Sequence, residues 1–162
     1  MASLPRGVRF GIDVGKVRIG VAQSDPDGLL AMPVETVQRQ EDGAVSALCA
    51  SIAETNPSCV YVGLPLSLNG AHTASTEDAI ALARHINEAT GAQVHLIDER
   101  LSTVSAQSAL HASGKTTKSS REVVDQVAAV MILQQALDTE RAQGKLAGIS
   151  VNGFSSSPGS VG

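Results

Sequence analysis

Three carboxylates occupy positions where a soluble protein would not normally place a charge. Asp13 lies inside the apolar stretch 8–15, and the second is one of the neighbours Asp98 and Glu99, which directly follow an apolar stretch that ends at residue 97. Asp125 lies on a segment that is apolar almost all round. A buried charge is costly unless it is paired or binds a metal. Three carboxylates brought together would suit hard divalent cations such as Mg²⁺ or Mn²⁺, which prefer oxygen ligands.

The elements around Asp13 predict a β-hairpin. Residues 8–15 are typical of a short strand, Lys16 and Val17 of a tight turn, and residues 18–24 of a second strand that runs back beside the first. We expect Gly15 to leave open space above the carboxylate, through which a phosphate or a metal could approach. The alternative is that Asp13 merely caps the hairpin turn.

Glu99 and its neighbour Asp98 follow a predicted buried strand, residues 93–97. Ligand chemistry in open α/β sheets lies at the C-terminal ends of the strands. Adjacent residues of a strand point to opposite faces, so we expect only one of the two carboxylates to face the site. The other would cap the following helix.

Asp125 is predicted to lie on the core-facing side of the last helix. Helical spacing places it on one stripe with four other residues, Ala128, Ala129, Ile132 and Ala136. An ionised carboxylate on such a stripe requires a cation. A metal is one candidate, and a buried ion pair with Arg18 or Arg100 is the other.

The remaining pattern predicts an α/β domain with a mixed five-stranded sheet flanked by helices. A third strand at 29–37, limited in its pairing by Pro33, would complete an antiparallel β1-β2-β3 unit, and two parallel strands would follow. The other predicted elements are a helix at 41–54, a strand at 59–64, a helix at 75–90, a short helix at 103–112 and a helix at 120–143. We expect residues 1–149 to form a single domain and residues 150–162 to form a disordered tail.

Composition limits the functional classes. Aromatic residues make up only 2% of the 162 residues, which argues against binding by stacking of bases on aromatic side chains. The net charge of −4 does not indicate a nucleic-acid binder, although a local basic rim can surround an acidic metal site. No stretch resembles a membrane span or a signal peptide. Cys49 and Cys59 lack metal spacing and are expected to be buried thiols of a cytoplasmic protein, with a redox-linked dimer as the alternative.

Four groups of residues resemble the YqgF (RuvX-like) family of Holliday-junction resolvases and pre-16S rRNA processing nucleases. They are GIDVG at 11–15 with RIGVA at 18–22, VGLPL at 62–66 with NG at 69–70, DERLST at 98–103, and DQVAA at 125–129. The resemblance covers about residues 8–140 and implies an RNase H-like fold. It also implies that Asp13, Glu99 and Asp125 are the catalytic and metal-binding acids.

This resemblance implies metal-dependent hydrolysis of a phosphodiester. Two ions about 4 Å apart would hold the attacking water and the leaving oxygen, with Asp13 between them and Glu99 and Asp125 on either side. Without metal, the carboxylates would repel one another and at least one should have a raised pKa. Six basic residues could contact backbone phosphates, namely Lys16, Arg18, Arg100, Lys115, Lys118 and Arg121. The alternative for each is a solvated surface charge.

We therefore expect a nuclease that acts on structured nucleic acid, with processing of the 5′ end of pre-16S rRNA preferred. The first alternative is a Holliday junction resolvase that cuts four-way DNA as a two-fold homodimer. Two readings from other classes remain. One is a sugar-kinase or actin-like ATP-binding domain, which normally needs two such domains around a cleft. The other is a non-catalytic RNase H-like scaffold in a ribosome- or transcription-associated complex.

Overall fold

A mixed β-sheet forms the centre of the protein. The structure, a computed structural model, describes residues 7–67, 69–99 and 118–153, and for 118–125 it describes only the backbone. The strands are β1 (Arg9–Val14), β2 (Arg18–Ser24), β3 (Ala31–Gln38), β4 (Cys59–Leu64), β5 (Val94–Asp98) and β6 (Ile149–Ser150). The helices are α1 (Ala44–Thr55), α2 (Ala74–Thr90) and α3 (Lys118–Gln143).

The strand order is β3-β2-β1-β4-β5-β6. β2 runs antiparallel to both β1 and β3, whereas β4 runs parallel to β1 and to β5. The predicted mixed sheet, with three antiparallel strands followed by parallel ones, is thus confirmed. Helices α1 and α2 cover one face of this sheet, and α3 covers the other.

The predicted count of five strands is wrong, because β6 adds a sixth. This strand has only two residues, too few to show a period-2 pattern, and Ser150 pairs with His95 of β5. Val151 follows in a short 3-10 helix and is 2% exposed in the core. The predicted start of the tail at residue 150 is therefore also wrong. Residues 154–162 and the predicted short helix at 103–112 lie outside the described residues.

Successive side chains of each strand point to opposite faces of the sheet, and this alternation gives the protein two hydrophobic cores, one on each face. Phe10, Ile12 and Val62 point toward α1 and α2, whereas Tyr61 and Ile97 point toward α3. The predicted stripe on α3 is confirmed, since its members Ala129, Ile132 and Ala136 are at most 1% exposed, and Ala128 is half-buried.

Helix α3 lies unusually close to β1. A Cβ added at Gly11 would be 2.6 Å from the Cβ of Leu133 and 2.8 Å from the carbonyl oxygen of Ala129. Such distances are possible only because Gly11 has no side chain. The glycine therefore sets the distance between the helix and the central strand.

A buried polar cluster anchors the C-terminal part of α3. Arg9 of β1 and Glu140 of α3 are 2% and 1% exposed, and Arg9 Nη2 donates to Glu140 Oε1 at 2.9 Å. Tyr61 donates its hydroxyl hydrogen to the same carboxylate and accepts a hydrogen bond from the Ala147 amide at 3.1 Å. Because every partner is buried, this pairing aligns the helix with β1 and β4.

The two cysteines are both free and buried. Burial raises the pKa of both thiols, and for Cys59 the nearby charge of Glu140 adds to this effect. The prediction of buried thiols is therefore confirmed. In the described part of the chain, we find no helix with the length and apolar character needed to cross a membrane.

Strand β3 forms one edge of the sheet and is irregular. Pro33 pairs with Ala22, and the register between β2 and β3 shifts at this point, between Val21 and Ala22. Met32 and Val34 are about half exposed, at 52% and 47%. The sequence-based expectation that Pro33 limits the pairing of this strand agrees with that shift.

Candidate active site

The C-terminal ends of β1, β4 and β5 meet at one edge of the sheet, on the face that α3 covers. Asp13 is the penultimate residue of β1, and Glu99 follows immediately after β5. Asp13 lies on the same face of β1 as Gly11, two residues earlier, which contacts α3. The topology thus brings together two carboxylates that are 86 positions apart in the numbering.

Asp13 and Glu99 interact directly. Burial, which has the largest effect, acts together with the charge of Asp13 and a hydrogen bond with it to raise the pKa of the Glu99 carboxyl to about 8. A smaller contribution comes from the charge of Asp98. Two carboxyl groups can form a hydrogen bond only when they share a proton, so the pair holds one in the absence of a cation. The raised pKa at one of the acids, which the sequence predicts, follows from this contact and from burial.

Gly63 of β4 provides the space for this contact. A Cβ at this position would lie 2.9 Å from Cγ and 3.0 Å from Cδ of Glu99, and 2.6 Å from Cδ1 of Ile132. The Glu99 side chain therefore lies across β4, against the backbone of Gly63. Gly63 was not predicted to contact the site, although a glycine inside a continuous apolar strand often marks such a close approach.

Asp125 lies on the part of α3 that passes this edge. The side-chain amide of Gln126 donates to Thr36 Oγ1 at 3.1 Å. Thr36 of β3 pairs with Gly20 of β2, and Gly20 pairs with Asp13 of β1, so these three residues form one row across the sheet. Ala129, one helical turn further, lies over Gly11. One helical turn and two strand residues both advance by about 6 to 7 Å. The backbone at position 125 therefore lies about as far along the sheet as Asp13. The side chain of Asp125 is not among those that the structure describes.

The turn after Asp13 differs from expectation in one respect. The tight turn is confirmed, but Gly15 does not leave open space, because a Cβ there would be 2.6 Å from the carbonyl oxygen of Arg18. That oxygen accepts a hydrogen bond from the Gly15 amide at 2.9 Å. Glycine is therefore required for closure of the turn rather than for access to Asp13.

Two of the six predicted phosphate-binding residues can be placed. Lys16 is exposed at the tip of this turn, and Arg18 is half-buried at the start of β2. Lys118 and Arg121 belong to the beginning of α3, where only the backbone is described. Arg100 and Lys115 lie outside the described residues, as does any pairing of Asp125 with an arginine.

The described donors fit a divalent cation. Asp13 and Glu99 offer only carboxylate oxygens, the donor type that Mg²⁺ and Mn²⁺ prefer. A bound cation would offset the repulsion between the two carboxylates, as the shared proton does in its absence. Among the described side chains, no group of three or more histidines, cysteines or acids has the arrangement of a metal site. The third predicted ligand, Asp125, is outside that set.

Comparison with known proteins gives a consistent result. A family model described as "RuvX: Holliday junction resolvase" matches residues 7–139. A protein of Clavibacter sepedonicus named "Putative pre-16S rRNA nuclease" is 54% identical over 90% of this chain and 91% of its own. A protein of the same name from Leifsonia xyli subsp. xyli is 59% identical over 84% of this chain and 88% of its own.

One solved structure has a similar fold. It is the Thermus thermophilus RuvC in complex with a Holliday junction substrate, with a TM-score of 0.51 and 16% sequence identity. The alignment covers 87% of this chain and 99% of that one. This likeness concerns the fold alone, and it confirms the expected RNase H-like class.

Proposed function

Since this chain belongs to the RuvX family and is therefore a nuclease, we propose that it processes the 5′ end of pre-16S rRNA with divalent cations bound by Asp13, Glu99 and Asp125. The observation that carries this proposal is the direct contact between Asp13 and Glu99 at the C-terminal edge of the parallel strands. The cytoplasm, where ribosomes are assembled, would be the site of action.

The arrangement of the acids suits phosphodiester hydrolysis. Asp13 comes from the central strand β1, Glu99 lies beside it against Gly63, and both carboxylates could hold a divalent cation. Asp125 would complete the set from α3, whose position is set by Gly11 and by the buried cluster at Glu140. When bound, Mg²⁺ or Mn²⁺ would supply Lewis-acid stabilisation of the developing negative charge. No protein nucleophile is then required.

The substrate would be held by its backbone. Lys16 is exposed three residues after Asp13 and could contact a phosphate next to the scissile one. Arg18 could add a second contact from the start of β2. Such contacts position a nucleic acid without reading its sequence. We therefore expect recognition of RNA structure rather than of a base sequence.

The second candidate is cleavage of four-way DNA junctions. The name of the matching family model favours it, and the similar Thermus thermophilus structure was determined with such a substrate. A resolvase must cut two strands symmetrically, which requires a two-fold dimer. The names of relatives that are 54% and 59% identical favour rRNA, and we rank that substrate first.

A parallel cleavage assay tests the proposal. Labelled pre-16S leader RNA and a four-way DNA junction are incubated with Mg²⁺, Mn²⁺ or EDTA. The proteins are the wild type, Asp13→Asn and the control Asp138→Asn, which removes an exposed carboxylate at the other end of α3. We expect metal-dependent cutting of RNA that is lost only in Asp13→Asn.

The other outcomes are equally informative. Cutting of the junction alone, by a dimer, would replace rRNA processing with the resolvase activity. Cutting that persists in Asp13→Asn would refute the assignment of the acids. No cutting of either substrate would favour the non-catalytic scaffold.

A further inference from the structure

The turn that carries Lys16 is held by a residue outside the proposed active site. Within this turn, one backbone hydrogen bond joins Gly15 to Arg18, while Lys16 and Val17 are exposed. Arg39, the first residue after β3, adds two more contacts. Its amide donates to the Val17 carbonyl oxygen at 3.0 Å, and its Nη1 donates to the Gly15 carbonyl oxygen at 2.7 Å.

The same guanidinium reaches a second element. Arg39 Nη1 and Nη2 donate to the two carboxylate oxygens of Asp78, at 2.6 Å and 3.0 Å. Asp78 belongs to α2, which is well anchored, because the adjacent Ala79 and Ile80 are at most 2% exposed and the helix begins with a capping box. Arg39 thus connects the exposed turn to a helix whose other face is anchored in the core.

This arrangement requires arginine rather than any cation. A planar guanidinium can bond two carboxylate oxygens and a carbonyl oxygen at fixed angles, whereas an ammonium group is a compact point charge on a flexible stem. Arg39 is only 22% exposed, and its donors point to Asp78 and Gly15. A role in positioning therefore fits Arg39 better than direct contact with a substrate.

We propose that Arg39 and Asp78 form a clamp that sets the β1–β2 turn, and that the clamp holds Lys16 in place to bind a backbone phosphate beside Asp13. This inference rests on the proposed nuclease function, because it assigns Lys16 to substrate binding. Loss of the clamp would free the turn and weaken substrate binding. Chemistry at Asp13 would be preserved, because the ladder of β1 and β2 holds that residue independently.

A double-mutant cycle tests this coupling. Steady-state RNA cleavage is measured for the wild type, Arg39→Lys, Lys16→Ala and the double variant. The control is Arg141→Lys, since Arg141 also pairs with an aspartate, Asp138, at 2.5 Å, but on the far part of α3. We expect Arg39→Lys to raise KM about fivefold with kcat nearly unchanged, and to have no further effect in the Lys16→Ala background.

Three results would overturn the inference. Effects of Arg39→Lys and Lys16→Ala that multiply would show that Arg39 does not act through Lys16. A fall in kcat without a rise in KM would place its action on the chemical step. Equal losses of RNA-cleavage activity in Arg39→Lys and Arg141→Lys would indicate a general effect on stability.

Hydrogen exchange separates this inference from the proposed function. Exchange of the Gly15 amide should be faster in Arg39→Lys than in the wild type, whether or not RNA is cleaved. A wild type that cleaves nothing would remove the role of Lys16, and the exchange rate would still decide whether the clamp exists. An unchanged Gly15 exchange rate would refute the clamp itself.

Discussion

Replacement of Glu99 by glutamine should stabilise the metal-free protein, and the gain should grow with pH. The pKa of Glu99 is raised from 4.5 to about 8 by burial and by Asp13. Below pH 4.5 the carboxyl is protonated in both the folded and the unfolded state and has no effect on stability. As the pH rises toward 8, the unfolded state releases the proton while the folded state retains it, so the wild type loses stability. Glutamine has the same size and does not titrate.

The size of the effect follows from that pKa difference. Each tenfold change in proton affinity corresponds to about 1.4 kcal/mol, so the shift of the Glu99 pKa from 4.5 to about 8 lowers the free energy of unfolding by roughly 5 kcal/mol at pH 9. About 3 kcal/mol of this arises between pH 6 and pH 9. Glu99 is only half-buried, so water reduces the penalty. We therefore expect the free energy of unfolding of Glu99→Gln, relative to the wild type, to increase by about 2–3 kcal/mol over this range.

Urea unfolding in EDTA at pH 6, 7, 8 and 9 provides the measurement, at pH values above the pI of about 5.5. Other titrating groups are common to both proteins and cancel in the difference. Addition of Mg²⁺ at pH 9 should stabilise the wild type and leave Glu99→Gln little changed, because binding requires the ionised carboxylate. A difference between the two proteins that stays constant from pH 6 to pH 9 would refute the argument.

Three further predictions concern the structure around the site. Gly63→Ala should lower Mn²⁺ affinity at least about tenfold by displacing Glu99, as measured by calorimetry, and unchanged affinity would contradict the packing described. Gly11→Ala should cost about 1–3 kcal/mol in urea unfolding by pushing α3 from β1, and a neutral effect would refute that contact. Arg9→Met should cost about 3–5 kcal/mol because it leaves Glu140 buried without its partner. The double variant Arg9→Met/Glu140→Leu should recover most of this loss, and a double variant as unstable as Arg9→Met alone would argue against the pairing.

Local patterns predicted much of the fold and part of the site. Strand alternation and the rule that ligands lie at C-terminal strand ends indicated that Asp13 and one of the pair Asp98 and Glu99 would meet, and Glu99 is the one that contacts Asp13. Helical spacing correctly identified the buried stripe of α3. These signals are visible because they repeat within a few residues of the chain.

Features that depend on distant partners were missed. Arg9 and Glu140 are 131 residues apart, and no periodicity relates them. The roles of Gly63 and Gly15 depend on which atoms approach them, Glu99 in one case and the Arg18 carbonyl in the other. Strand β6 is defined by its pairing with β5, because two residues carry no pattern of their own.

The irregular edge strand β3 has a consequence for how copies of this protein could associate. Pro33 has no amide hydrogen to offer a neighbouring strand, and the register shift beside it twists the edge away from a flat template. At the opposite edge, β6 presents only two residues. Among the described strands, neither edge therefore offers a long and uninterrupted row of unpaired backbone groups, which is the feature that favours edge-to-edge aggregation. A two-fold complex, if one forms on DNA, would therefore be built from helices or loops rather than from a continuous intermolecular sheet.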